Sequence, residues 1–168
     1  MKFSGSYELN SSKEKVWKNL NDIDVLKKCI DGCQEFLYTD NNKYNAKIFI
    51  KLGPVNASFQ STIEINNIIE EESYEIKAQG NAGQLGNASG KVKIFLKELD
   101  KITVLNYEAD TRINGRIAQL GSRLIDGSVK KNTDLFFQNF SKILNEDSNI
   151  NINDKKNNII IRKVKVLT

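Results

Sequence analysis

From Cys33 to about Ile113, apolar and polar residues alternate with period two for roughly eighty positions, the signature of long, half-buried strands. Tyr44, Ala46, Ile48, Ile50 and Leu52 take one face of the first complete run, and Lys43, Asn45, Lys47 and Lys51 the other. Asp40-Asn41-Asn42 turns the chain before it and Gly53-Pro54 after it. Val55, Ala57, Phe59, Ile63 and Ile65 continue the pattern, then Tyr74, Ile76 and Ala78, then Val92, Ile94 and Leu96, then the run from Ile102 to Ile113. Between the third and fourth of these lies an eleven-residue, glycine-rich segment, Gly80 to Gly90, which reads as a loop. Residues 2 to 9 also alternate, with Phe3, Gly5, Tyr7 and Leu9 on one side.

Two short helices are predicted after that first strand. Ser11 or Ser12 can cap the first, whose apolar side carries Val16, Trp17 and Leu20; Asp22 can open the second, which ends near Asp31-Gly32. The period changes to three and four residues from Gly115 to Leu144, where Ile117, Leu120, Leu124, Leu135, Phe136, Phe140 and Ile143 fall on one side of a long helix. Interior glycines at Gly121 and Gly127 each cost a helix roughly 1 kcal/mol and require a kink or a close approach as their reason.

One strand, two short helices, about six strands and a long helix make an α+β chain of about seven strands. The economical arrangement is a curved antiparallel sheet wrapped around the C-terminal helix, with room for an apolar cavity between them. Residues 1–144 form this domain. Residues 145–168 divide into a polar, asparagine-rich linker and a short basic and apolar tail, IIIRKVKVLT, which reads as a solvated end, an extra strand, or a foot on a partner or an anionic membrane.

Composition narrows the chemistry. The chain has 168 residues, 39% of them hydrophobic and 27% charged, enough for one soluble domain. The net charge of +4 is scattered among acids, without the clustered positive face that nucleic acid requires. The N-terminus lacks the apolar core of a signal peptide and no stretch is long enough to span a bilayer, so a cytoplasmic location is expected. There is no histidine, which removes the usual general base and the commonest nitrogen ligand for metals. Cys29 and Cys33 alone do not supply a zinc site, and no metal or obligatory cofactor is expected.

Several motifs then fall in a familiar order: WKNLNDIDVLKKCIDGC, KLGPVNASF, the glycine segment, NGRIAQLGSRLID and FFQNF. Together they closely resemble the CoxG family of carbon monoxide dehydrogenase, within the helix-grip, START-like superfamily, over about residues 1–144. The chain differs from the family pattern at Asp31, where proline is usual before Gly-Cys, and in a tail shorter than the family's linker and membrane-attaching segment. The resemblance implies an accessory protein of a molybdenum hydroxylase similar to carbon monoxide dehydrogenase. It also implies a quinone-type or other lipid ligand, partnership with the hydroxylase subunits, and peripheral contact with the inner face of the membrane.

The pattern nominates Trp17, Phe36, Tyr44, Ile48, Phe59, Ile63, Tyr74, Tyr107, Leu120, Gly121 and Leu124 as cavity-lining residues, although each of the aromatics is equally a core residue. Gly121 is the expected point of closest approach between backbone and ligand. Gly53 and Pro54, with Gly83, Leu85 and Gly86, are candidate gates. Arg112, Arg116 and Arg123 read either as surface charge or as contacts for a headgroup, a membrane phosphate or an acidic partner. No catalytic residue is nominated. The rival readings are a docking module without a ligand and a cyclase or lyase of the same superfamily, for which Glu108, Asp110 and Asp126 are the carboxylates near the cavity by pattern, although alternation around Tyr107 and Ala109 points Glu108 and Asp110 to solvent.

Overall fold

The computed structural model describes residues 1–150, and the rest of the expected linker and tail lies outside them. Strand β1 (Lys2–Leu9) is followed by α1 (Lys13–Leu20) and α2 (Ile23–Cys29). Then come β2 (Cys33–Tyr38), β3 (Lys43–Leu52), β4 (Val55–Ile69), β5 (Ser73–Asn81), β6 (Asn87–Leu99) and β7 (Ile102–Asn114). A helix α3 (Ser122–Ile150) ends the described chain. All seven strands join one antiparallel sheet in the order β1-β7-β6-β5-β4-β3-β2, so β1 and β2 are its edges. This is the curved-sheet and long-helix architecture expected from the period.

Local chemistry accounts for most boundaries. The Ser12 side chain accepts from the Lys15 amide at 3.2 Å and caps α1, and Asp22 caps α2 through the Asp24 and Val25 amides. Asn41 and Asn42 both have positive φ, which the β2–β3 hairpin turn demands, and Gly53 at φ +60 opens the two-residue turn from Leu52 to Val55. The segment from Gly80 to Gly90 is mostly not a loop. Gly80 pairs with Ala88 and Ala78 with Gly90, so only Ala82 to Gly86, which includes a 3-10 turn, leaves the ladder.

The long helix is also shorter at its start than the period suggests. Arg116–Leu120 is a 3-10 turn between Gly115 at φ +88 and Gly121 at φ +87, and the α-helix begins only at Ser122. Left-handed backbone at Gly121 interrupts the helical phase and resets it. The buried face is consequently turned by about one residue: Ile125, Phe137 and Leu144 are buried along with Phe140, while Leu124, Phe136 and Ile143 are half-buried. Leu135, itself half-buried, lines an open depression with Gly127, Lys130, Lys131, Asp134 and Gln138.

Gly121 therefore breaks the helix and Gly127 does not, since α3 runs through it. A Cβ at Gly121 or Gly127 meets nothing within 4 Å, but only Gly121 has the backbone conformation that side chains avoid. Gly121→Ala should lower unfolding stability by about 1 kcal/mol and Gly127→Ala should raise it by about the same amount, as read by urea denaturation of the two variants.

Candidate functional site

The concave side of the sheet is covered unevenly. A large cluster at one end joins Tyr7, Leu9, Ile94, Leu96 and Leu105 of the sheet to Val16 and Leu20 of α1 and to Phe137, Phe140 and Leu144 of α3. A smaller cluster at the other end joins Leu52, Ala57 and Phe59 to Ile117, with Leu85, Ile113 and Leu120 packed against it. Between them runs a directly paired row, Tyr44, Ile63, Ala78, Gly90 and Thr111, crossing β3 to β7. Every member of that row is only half-buried, although it lies in the interior of the fold. On the three middle strands the row carries nothing larger than isoleucine, and Ser61 and Ala109 beside it are half-buried as well.

The nominated lining residues separate into three groups around this row. Tyr44 and Ile63 belong to it, and Ile48 lies beside them on the same face of β3. Phe59 and Leu120 belong with the smaller cluster. Trp17, Tyr74 and Tyr107 belong with the large cluster, where Trp17 meets Tyr74 edge-on at 5.4 Å. Phe36 is buried on β2 with its ring 5.5 Å from Tyr44. Gly121 is exposed.

The gate residues meet the turn before α3. A Cβ on Gly53 would sit 2.4 Å from Leu124 Cδ2, so Leu124 rests directly over the β3–β4 turn. Gly86 abuts Asn114 and Gly115 so closely that a Cβ would be 2.0 Å from the Asn114 carbonyl oxygen. Leu85 packs in the smaller cluster, whereas Pro54 and Gly83 are exposed and Gly83 has nothing within 4 Å of an added Cβ. The strand ends on the small-cluster side of the row are thus closed by contacts of Gly53 with Leu124, of Gly86 with Asn114 and Gly115, and of Leu85 within the cluster.

Two residues that the pattern did not nominate hold the helix to the sheet. The Tyr7 hydroxyl donates to Asp134 Oδ1 at 3.1 Å, and the Tyr7 ring stacks on Phe137 at 3.9 Å. The signal for Asp134 was its spacing: three residues before Phe137, it shares a side of the helix with it. Burial raises the Tyr7 phenol well above its ordinary range, with Tyr107 and the Asp134 carboxylate adding to the shift. Burial does the same to Tyr74.

The candidate carboxylates are placed away from the row. Glu108 and Asp110 are exposed on the convex face and Asp126 is exposed on α3. Burial pushes the Cys29 thiol up to about 11, which keeps it in the unreactive form, and Cys33, the first residue of β2, is also raised by burial. Among the described residues, no group of three or more histidine, cysteine, aspartate or glutamate side chains could hold a metal. What the row offers is apolar surface with the Tyr44 hydroxyl in it and Ser61 beside it, while the Thr111 hydroxyl donates to the Met1 carbonyl oxygen at 3.2 Å.

These phenols and the thiol hold their protons more tightly in the folded chain than in the unfolded one, where they ionise near 10.0 and 9.0. Their contribution to stability is present below those values and is lost as pH rises through the folded ones. Urea midpoints should therefore fall steadily above about pH 9, and Tyr74→Phe should make that fall shallower.

The family model for CoxG, a subunit of carbon monoxide dehydrogenase, matches residues 5–145. No curated protein matches the chain. Among solved structures, a conserved protein from Geobacillus kaustophilus is 28% identical with a TM-score of 0.83, the match covering 88% of this chain and 97% of that one. A protein from Thermus thermophilus shares the fold at 9% identity and a TM-score of 0.66, covering 88% of this chain and 99% of its own. The Zhui aromatase/cyclase from Streptomyces sp. R1128 does so at 12% identity and 0.62, covering 88% and 95%.

Proposed function

Because the chain belongs to the CoxG family of carbon monoxide dehydrogenase, we propose that it is a non-catalytic accessory protein of a molybdenum hydroxylase of the carbon monoxide dehydrogenase type. It binds a quinone-type or other lipid molecule between the sheet and α3, and it serves the hydroxylase at the cytoplasmic face of the membrane. The observation that carries the ligand reading is the half-buried row from Tyr44 to Thr111, with a buried cluster on either side of it along the strands. An interior apolar surface left uncovered loses dispersion contacts on one side, and an apolar guest restores them.

The placement of carboxylates supports a binding role over catalysis, since Glu108, Asp110 and Asp126 all face solvent. Among the described residues no helix is long and apolar enough to cross a membrane, which is compatible with peripheral attachment. The likeness to an aromatase/cyclase extends to the fold and supplies no reaction.

The test is native mass spectrometry of the chain purified from its own host, with solvent extraction of whatever is bound, followed by thermal unfolding with added quinones. A stoichiometric isoprenoid quinone or lipid is expected, together with a rise in melting temperature on adding quinones. Ala78→Phe fills the floor of the row and should weaken binding at least about tenfold while the chain remains folded. An empty protein that gains no stability from quinones would leave a ligand-free docking module as the better reading.

A further inference from the structure

The middle of α3 does not press on the sheet. Residues 132–136 make more than a full turn of helix, and all are half-buried, with full burial only from Phe137 onward. On the sheet, the row Ile76, Val92, Ala109 and Phe3 is half-buried too, and the next pair on the same face of β7 and β1 is Tyr107 with Gly5. Gly5 has no side chain, so the Tyr107 ring lies across it: a Cβ there would be 2.5 Å from Tyr107 Cε1. The Tyr107 hydroxyl thereby comes within hydrogen-bonding reach of Tyr7 and Thr133.

In this polar cluster the protons are already committed. Thr133 Oγ1 donates to the Val129 carbonyl oxygen at 2.7 Å and Tyr7 donates to Asp134 Oδ1, which leaves Tyr107 the oxygens of Tyr7 and Thr133 to donate to. What remains is acceptor capacity. Asp134 receives the one bond from Tyr7 and, among the described residues, forms no ion pair, although Lys130 and Lys131 stand one turn before it. An ionised carboxylate has about four acceptor positions. Asp134 also lines the open depression on α3, so it can be reached.

We propose that Asp134, held by Tyr7, is the head-group contact of the ligand between sheet and α3, and that it selects a head that donates hydrogen bonds: the hydroxyls of a quinol over the carbonyls of a quinone. This rests on the ligand reading above. A quinol hydroxyl gains a charge-assisted bond to the carboxylate, whereas a quinone carbonyl meets it oxygen against oxygen and must draw the Tyr107 proton away from its present partners. Tyr7 and Tyr107 are positioning residues. Selection of the reduced form raises the midpoint potential of the bound two-electron couple by about 30 mV for each tenfold in affinity, which suits a chain that collects quinol from a donor enzyme.

The experiment is isothermal titration calorimetry of the full chain under nitrogen with a quinone carrying one isoprenoid unit, its quinol, and the dimethyl ether of that quinol, which cannot donate. The parent is expected to bind the quinol at least about tenfold more tightly than the quinone or the ether. Asp134→Asn keeps an oxygen for Tyr7 but removes the charge and adds donors. It should bring the three ligands within about threefold of one another without lowering quinone affinity. Tyr107→Phe should keep quinol affinity within about threefold of the parent and keep the preference. Thermal unfolding without ligand checks that both variants are folded, and if Asp134→Asn is not, the parent's ranking and Tyr107→Phe decide.

Equal affinity of the parent for all three ligands would overturn the head-group assignment and leave the ligand reading standing, whereas binding of none of them would remove both. Tighter binding of quinone than of quinol would overturn it in favour of Tyr107 as a donor. Equal weakening of all three ligands by Asp134→Asn would reduce Asp134 to a support for Tyr7, and loss of the preference in Tyr107→Phe would move the contact to that phenol. Either result refutes the assignment.

Discussion

A curved antiparallel sheet must cover most of its apolar concave face, and in this chain α3 does so with α1 and α2 beside it. The attachment that makes this possible is concentrated in the second half of α3. There Phe137 stacks on Tyr7, Phe140 and Leu144 are buried against Leu9, Leu96 and Leu105, and Asp134 receives the Tyr7 hydroxyl. Fully burying one such aromatic contributes about 1.5–3 kcal/mol, and the hydrogen bond to a charged group contributes about as much. Tyr7 joins the edge strand β1 to the helix, so this contact also secures the sheet at one of its two margins.

The first half of the helix region is held differently. Gly115 and Gly121 place a 3-10 turn across the other end of the sheet, and that turn inserts Ile117 among Leu52, Ala57 and Phe59. Two separate attachments, with a row of small residues between them, leave the middle of the concave face partly uncovered. Close packing is thus kept at both ends of the concave face and relaxed between them. Membership in the CoxG family implies accessory work for carbon monoxide dehydrogenase.

Charge follows the same axis. Of the turns at the gate end only the one before β2 carries an acid, Asp31, whereas those at the end bearing the Tyr7 cluster carry Asp40, Glu70, Glu71, Glu72 and Asp100. Strands that run up and down the sheet alternate their turns between the two ends, so the chain can accumulate opposite charges at opposite poles by varying only turn residues. Such a change costs the core nothing, since these positions are solvated.

Much of this was legible before any tertiary contact was known. Strand number, the two short helices, the Asn41-Asn42 and Gly53-Pro54 turns and the outward direction of Glu108 and Asp110 follow from period two and from turn chemistry, which act over a few neighbouring residues. The long-range order decided the rest. The left-handed Gly121 and the late start of α3, the rotation of its buried face to Ile125, Phe137 and Leu144, and the inclusion of Gly80 and Gly90 in the ladder all depend on partners distant in the chain. So does the Tyr7–Asp134 pair, which spans 127 positions. Alternation states which side of a strand is apolar. Only the packing of the helix over that side decides which apolar residues become core and which remain available as a wall.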